Sequence, residues 1–289
     1  MTQPVFIVSS GRSGTAMMER LLGANPNIEM HHEYMVHLVQ PIACRFAMGL
    51  CSETDVLKIV EQTYGAALHY ARKPLWGDSS NKLSWIVPVL ARTFPTAKFV
   101  HLARDGRKVA SSYFHKLANE CYDDEAVRVL RAHAARPDQV PPPPPEKRYW
   151  WPLPCADDPH AAAFWNYDQF QRIVWHWRAI NAKILDGLTH VPPANRLFVR
   201  LEDMTESADE AARFLEFIGL KPSPEDFAAL QRPHNVNRPE DKLLTKDQTA
   251  EFWAIAGDMM TALGYAGRPE YTVSYRPRAM VNQSLTIAS

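Results

Sequence analysis

The 289-residue chain has few cysteines, no excess of either charge and no long apolar run. Its four cysteines form no Cys-x-x-Cys pair, so the sequence indicates neither a disulfide framework nor a zinc site, and it is typical of a reduced cytoplasmic protein. Lysine plus arginine (32) equals aspartate plus glutamate (32), whereas a duplex-binding protein usually has a basic excess. The N-terminal apolar run, residues 5–8, is too short for a signal peptide or a membrane span. Neither a nucleic-acid partner nor a transmembrane segment is therefore predicted.

Short apolar segments alternate with helical patterns along the chain. The strand candidates are residues 4–8, 97–102 and 196–200, and the helical patterns include residues 16–22, 83–93, 108–117 and a segment that ends at Gly219. This alternation predicts an α/β fold in which a parallel sheet is flanked by helices.

Two regions fall outside this alternation. Residues 27–73 are mostly helical in pattern and are predicted to form a cap over one end of the sheet. Residues 120–160 form an insertion rich in proline and tryptophan, and residues 137–160 hold nine of the 23 prolines. A run of five prolines at 141–145 resists both helix and sheet. The insertion is either a surface loop or a lid on a substrate pocket, and its length favours the lid.

The turn after the first strand has the sequence Ser-Gly-Arg-Ser-Gly-Thr, residues 10–15. At the start of a helix the backbone N–H groups lack helical partners, and the helix dipole favours an anion. The turn lacks the Gly-Lys-Ser/Thr of a Walker A loop, so it suits a phosphate or sulfate donor rather than ordinary magnesium–ATP chemistry. Glycines allow close approach, while hydroxyls and a guanidinium add donors. The predicted anion ligands are Gly11, Arg12, Ser13, Gly14 and Thr15.

At this turn and a second one, the chain resembles the sulfotransferases that use 3′-phosphoadenosine 5′-phosphosulfate (PAPS), in their bacterial and carbohydrate-type branch. The family's Lys/Arg-Ser/Thr-Gly-Thr motif is matched by residues 12–15. Its second motif is an arginine at a strand end with a serine eight residues later, matched by Arg104 and Ser112. The similarity runs in order from residue 4 to about residue 264. It implies one sulfotransferase domain over residues 1–289, built as a P-loop-like three-layer sandwich.

The resemblance also implies how the donor is held. Residues 11–15 would hold the 5′-phosphosulfate, and Arg104 with Ser112 would hold the 3′-phosphate. Arg12 would stabilise the charge that develops during transfer. Both turns would lie at the carboxyl ends of parallel strands, where open α/β sheets bind ligands.

The chain departs from the family pattern in other places. Ala16 and Met17 stand where phenol and steroid sulfotransferases have Thr-Trp, so any adenine stacking comes from elsewhere. The nearest candidate for the family's C-terminal Arg-Lys-Gly element is Arg238, a further cofactor-binding candidate. Arg107 and Lys108 are expected to be solvated or to make a secondary electrostatic contribution.

Sulfuryl transfer to an alcohol needs a base, and Glu33 falls where the carbohydrate-type branch has its catalytic glutamate. Burial beside a pocket would raise its pKa. His37 lies four residues later and would share a helical face with Glu33. The alternative for Glu33 is an ordinary first-turn helix carboxylate. A zinc-binding His-Glu-x-x-His motif would need a histidine where Val36 stands, so no metal is predicted. Lys82 is the candidate cation for the transition state.

Three functions remain open from the sequence. The first is a cytoplasmic PAPS-dependent sulfotransferase that acts on a hydroxyl of a small molecule, sugar or lipid. The second is a nucleotide kinase with a variant phosphate loop, against which the absent Walker A lysine and the pair Arg104 and Ser112 argue. The third is a non-catalytic nucleotide-binding protein on the same fold.

Overall fold

A computed structural model of the chain describes residues 2–231 and 243–270. The strands in these residues form one parallel sheet in the order β2-β3-β1-β4-β5. Their bounds are β1 Gln3–Val8, β2 Ile28–His32, β3 Leu75–Ser79, β4 Lys98–Ala103 and β5 Arg196–Arg200. Strand β1 is central, so the turn that follows it lies in the middle of the carboxyl edge of the sheet.

The α-helices connect these strands and follow the last one. Their bounds are α1 Thr15–Gly23, α2 Val36–Ala47, α3 Glu53–Val60, α4 Ala66–Tyr70, α5 Val87–Thr93, α6 Gly106–Lys116, α7 Asp124–Ala135, α8 Gln169–Leu188, α9 Leu201–Glu206, α10 Ala208–Phe217, α11 Pro224–Leu230 and α12 Lys246–Ala262. None of the helices in the described residues combines the length and the apolar content needed to cross a bilayer.

The two faces of the sheet bury separate cores, because successive side chains of a strand point to opposite faces. On β1, Val5 and Ile7 pack with residues of α1, α10 and α11. Phe6 and Val8 pack on the other face with residues of α2, α3, α5, α6, α8 and α12. The predicted three-layer α/β sandwich with a parallel sheet is therefore confirmed.

Two of the strands, β2 and β3, were not predicted from the sequence. Strand β2 lies at the sheet edge within residues 27–73, and its polar half masks the apolar pattern. Strand β3 is fully buried yet contains Gly77 and Asp78, which depart from the usual apolar run of a central strand. The helix predicted over residues 83–93 is divided into a 3₁₀ turn, Leu83–Trp85, and α5.

The proline-rich insertion packs against α2. The side-chain amide of Gln40 donates hydrogen bonds to the carbonyl oxygens of Lys147 (3.1 Å) and Trp150 (2.9 Å). The indole of Trp150 donates to the carbonyl oxygen of Pro144 (2.7 Å), and Trp150 and Trp151 are both buried. These contacts fix the insertion close to the segment that joins β2 to α2.

Candidate active site

The turn between β1 and α1 has an unusual backbone. Gly11, Arg12 and Gly14 have φ values of 80°, 52° and 94°, so the chain passes three times through the left-handed region. The Ser13 hydroxyl donates to the carbonyl oxygen of Gly11 (3.0 Å) and lies 3.1 Å from Ser10 Oγ. The turn thus closes on itself and presents the N-terminus of α1, a favourable position for an anion.

Two side chains support this turn from behind. The Tyr113 hydroxyl, on α6, donates to the carbonyl oxygen of Ser10 (3.1 Å). A Cβ atom on Gly11 would overlap the Tyr113 hydroxyl and lie 2.9 Å from Asn81 Nδ2. Only glycine therefore fits at position 11, because both its φ and its surroundings exclude a side chain.

The second predicted turn meets the first. Arg104 follows β4, the strand next to β1, and its Nη1 donates to the carbonyl oxygen of Arg12 (2.8 Å). Arg12 Nε in turn donates to Ser112 Oγ (2.9 Å). The structure therefore brings together the two motifs that the sequence placed 92 residues apart.

Arg104 also keeps a donor in reserve. Its Nε atom is buried and has no hydrogen-bond partner within residues 2–231 and 243–270. Buried donors are usually paired in folded proteins, so this guanidinium N–H leaves a donor available to an anion at the turn. This observation fits a phosphate held jointly by Arg104 and Ser112.

Glu33 lies between β2 and α2. Its φ is 55°, and its N–H donates to the carbonyl oxygen of Ser79 (3.3 Å). Helix α2 begins only at Val36, after Met35 with a φ of 49°. The alternative of a first-turn helix carboxylate that shares a face with His37 is therefore wrong, because Glu33 precedes the helix in a separate turn.

Two lysines surround the Glu33 carboxylate. Lys82 Nζ lies 3.9 Å from Oε1, and Lys147 Nζ donates to Oε2. Burial raises the pKa of Glu33, but Lys82 and Lys147 outweigh burial, and the pKa lies below its usual value of 4.5. The expectation of a raised pKa for Glu33 is wrong, because no sequence pattern indicates that Lys147 reaches this carboxylate.

A buried aspartate holds the Glu33 turn in place. Asp78, at the end of β3, accepts hydrogen bonds from the Tyr34 N–H (3.1 Å) and the Tyr64 hydroxyl (3.0 Å). Tyr64 comes from a π-helical turn, Glu61–Gly65, a local irregularity that is frequent at functional sites. Burial raises the pKa of Asp78 to about 7, although the Tyr34 and Tyr64 hydrogen bonds oppose this.

We expect Asp78→Asn to change how stability depends on pH. The folded protein holds a proton on Asp78 that the unfolded chain releases near the usual pKa of 3.8, so the free energy of unfolding falls as pH rises from about 4 to about 7. Between pH 5 and pH 8 the free energy of unfolding should fall by roughly 3 kcal/mol less in the variant than in the wild type, as measured by urea unfolding. The control is Asp138→Asn at an exposed position, which should follow the wild type. If the free energy of unfolding falls equally in wild type and Asp78→Asn between pH 5 and pH 8, the raised pKa of Asp78 is contradicted.

A small cavity adjoins Lys82. Lys82 Nζ lies 4.4 Å from the centre of the Trp151 ring. The cavity has a volume of about 10 Å³ for the centre of a water molecule, room for roughly one water. Trp150, Trp151 and Pro152 of the insertion form part of its wall, and the choice between a lid and a surface loop stays a prediction. The cavity is lined by Gln40, Ala43, Cys44, Asn81, Lys82, Trp85, Trp150, Trp151, Pro152 and His176.

Other site predictions need correction. The solvated alternative for Arg107 and Lys108 is wrong, because Arg107 forms a bidentate pair with Asp105 (2.6 Å at its shortest) and Lys108 is buried. Their secondary electrostatic contribution stays a prediction. Arg238 lies outside the described residues. Lys147 was missed because it lies 114 residues from Glu33, and only the position of the insertion pointed towards it.

Comparison with known proteins identifies the fold. A sulfotransferase from Alicyclobacillus acidocaldarius aligns over 92% of this chain and 96% of its own, with 15% identity and a TM-score of 0.50. A sulfotransferase domain from the curacin biosynthetic pathway aligns over 90% and 98%, with 14% identity and a TM-score of 0.49. Mouse sulfotransferase SULT7A1 complexed with PAP aligns over 90% and 85%, with 14% identity and a TM-score of 0.45. The search of curated proteins gave no match.

The parallel sheet, with its glycine-rich turn at the carboxyl edge, defines an α/β protein. The sulfotransferase domain family model matches residues 2–242, and the chain belongs to that family. The family assigns the chain to sulfuryl transfer, with an acceptor hydroxyl of some kind.

Proposed function

We propose that the protein transfers the sulfuryl group of PAPS to a hydroxyl of a small-molecule, sugar or lipid acceptor. The observation that carries the proposal is the junction of the two turns. Arg104 donates to the Arg12 carbonyl oxygen, and Arg12 donates to Ser112, at the carboxyl ends of adjacent strands. Two anion-binding turns in contact suit a nucleotide with phosphates at both its 3′ and 5′ positions.

The residues of the site fit this donor. The turn at residues 11–14, with its left-handed glycines and the N-terminus of α1, would hold the phosphosulfate end. Arg104, with its unpartnered Nε, and Ser112 would hold the 3′-phosphate. When bound, the donor would supply the activated sulfuryl group. Arg12 and the buried Lys82 would stabilise negative charge that develops during transfer.

Glu33 is the proposed base. Its carboxylate is ionised at neutral pH because Lys82 and Lys147 lower its pKa below the usual value. It can therefore accept the proton of an acceptor hydroxyl once Lys147 gives up its hydrogen bond to Oε2. The Glu33 turn and Lys82 adjoin the phosphate turn through Asn81, whose Nδ2 lies 3.5 Å from the Tyr113 hydroxyl behind Gly11.

The proposal includes a lid, formed by the insertion, over the side of the site where the acceptor would bind. The insertion brings Lys147 onto Glu33 and both Trp150 and Trp151 onto the cavity, which admits roughly one water. An acceptor larger than water must therefore displace part of the insertion. We propose that residues 137–160 act as a lid that opens for the acceptor and then excludes water from the transfer step.

Lys147→Met is expected to move the acid limb of the pH profile of kcat/KM to higher pH. The free enzyme needs an ionised Glu33, and without Lys147 its burial is opposed mainly by Lys82, so its pKa rises. The measurement is kcat/KM for sulfuryl transfer from pH 4 to pH 8. Lys116→Met, at an exposed position of α6, is the control and should leave the profile unchanged. An acid limb that stays in place would exclude Glu33 as the base.

The direct test of the proposed function mixes the protein with ³⁵S-labelled PAPS and a panel of sugar, phenol and aliphatic alcohols. Transfer of label to at least one alcohol is expected, with no requirement for magnesium. Turnover of magnesium–ATP instead would support the kinase alternative. A non-catalytic nucleotide-binding protein would bind PAPS but transfer label to no alcohol. In that case Glu33→Gln would change no activity.

A further inference from the structure

Lys108 is a buried cation on the helix that carries Ser112. The two residues are four positions apart on α6, so their side chains occupy neighbouring positions on one face of the helix. Only 3% of the surface of Lys108 is exposed, and its Nζ has no hydrogen-bond partner in the described part of the chain. A buried ammonium is costly unless an opposite charge is paired with it, so the place beside Nζ requires an anionic group.

Glu270 now occupies that place. Its Oε1 lies 3.1 Å from Lys108 Nζ, and this oxygen is also buried without a hydrogen-bond partner among the described residues. The two groups are thus held by charge, while their hydrogen-bonding capacity is unused. Arg107 Nη2 donates to the carbonyl oxygen of Arg268 (3.2 Å), which places the segment of Glu270 across the first turn of α6.

Arg104 provides a second cation, with a buried donor that has no hydrogen-bond partner among the described residues, just before the same helix. It precedes α6 by two residues, and Lys108 and Ser112 follow it at intervals of four. Both Arg104 Nε and Lys108 Nζ are buried donors without hydrogen-bond partners in residues 2–231 and 243–270. These two donors and the hydroxyl of Ser112, which lies on the same face of α6 as Lys108, would supply three contacts to a phosphate dianion.

We propose that Lys108 is a further ligand of the 3′-phosphate held by Arg104 and Ser112, and that the Glu270 carboxylate occupies the place of this phosphate until the nucleotide displaces it. The inference rests on the proposed use of a 3′-phosphorylated donor. Donor binding then breaks the Lys108–Glu270 pair, and this competition lowers the apparent affinity. Removing the Lys108 charge should therefore weaken nucleotide binding, and removing the Glu270 charge should strengthen it. Both effects should be confined to nucleotides that carry a 3′-phosphate.

The experiment titrates adenosine 3′,5′-bisphosphate and adenosine 5′-phosphate by calorimetry into the full chain and its variants. Lys108→Met should weaken bisphosphate binding about tenfold or more, the factor of one charge-assisted hydrogen bond. Glu270→Gln should strengthen it roughly threefold to tenfold. Neither change should alter the affinity for the 5′-phosphate. The controls are Lys116→Met and Glu216→Gln, exposed residues of α6 and α10 that should change nothing.

The outcomes separate this inference from the proposed function. If the wild type binds the bisphosphate and Glu270→Gln leaves that affinity unchanged, the inference is wrong and the proposed function stands. If Glu270→Gln raises the affinity for both nucleotides equally, the variant acts through the overall charge of the protein, and the inference is again wrong. A wild type that binds neither nucleotide overturns both proposals. Glu270 lies partly exposed, so its variant decides the matter even if Lys108→Met does not fold.

Discussion

Glu33→Gln is expected to lower kcat about 10²–10⁴-fold, the usual contribution of a positioned general base. The amide keeps the size of the carboxylate but cannot accept the acceptor proton. Its turn should persist, because Asp78 and Ser79 hold it through the backbone N–H groups of Tyr34 and Glu33. Affinity for adenosine 3′,5′-bisphosphate should stay within about twofold, since Glu33 contacts lysines of the acceptor side.

The matched control for this variant is Glu29→Gln, the same change on β2, four residues earlier. Glu29 is partly exposed and pairs with His31, away from the lysines around Glu33. Its kcat should stay within about twofold of the wild type. A Glu33→Gln enzyme with kcat within about tenfold of the wild type would assign the base to another group.

Gly11→Ala is expected to abolish nucleotide binding. The added Cβ would overlap the Tyr113 hydroxyl and crowd Asn81, and the φ of 80° is itself unfavourable for alanine. The turn must move, and its N–H groups no longer converge on an anion. We expect a loss of more than about 100-fold in bisphosphate affinity and roughly 2–4 kcal/mol of unfolding free energy.

Gly23→Ala is the control for the glycine change. Gly23 ends α1, and an added Cβ there would have no neighbour within 4 Å among the described residues. Stability should be equal or slightly higher, because alanine favours helix over glycine. Calorimetric titration and urea unfolding of both variants check the prediction. Wild-type nucleotide affinity in Gly11→Ala would mean that this turn holds no phosphate.

The phosphate-binding half of the site was predictable because its signals are local. Each motif follows a strand rich in apolar residues, and parallel strands of one sheet end at the same edge. Both turns were therefore predicted to converge at this edge, and hydrogen bonds of 2.8 and 2.9 Å show that they meet there. Their roles toward the donor stay predictions.

The acceptor half was less predictable because its contacts join distant segments. Lys147 reaches Glu33 from the insertion, and Tyr64 reaches Asp78 from a π-helical turn. Neither contact has a sequence spacing that helix or strand periodicity could detect. The error in the Glu33 pKa follows directly, since burial was foreseeable and the two lysines that outweigh it were not.

The burial of Lys108, on the donor side of the site, was likewise not predictable from the sequence. A charged residue in the middle of a helix usually lies on the solvated face, and this expectation failed because the segment after α12 covers the first turns of α6. The unpartnered ammonium became visible only once the packing around it was known.

The central claim is that the two turns hold opposite ends of one nucleotide. The most direct measurement is the ratio of affinities for adenosine 3′,5′-bisphosphate and adenosine 5′-phosphate, by calorimetry, in the wild type, Arg104→Ala and Arg12→Ala. We predict a ratio of about 100 or more in the wild type, since the 3′-phosphate gains charge-assisted hydrogen bonds. Arg104→Ala should reduce the ratio to near one, while Arg12→Ala should weaken both ligands. A ratio near one in the wild type, or an unchanged ratio in Arg104→Ala, would contradict the claim.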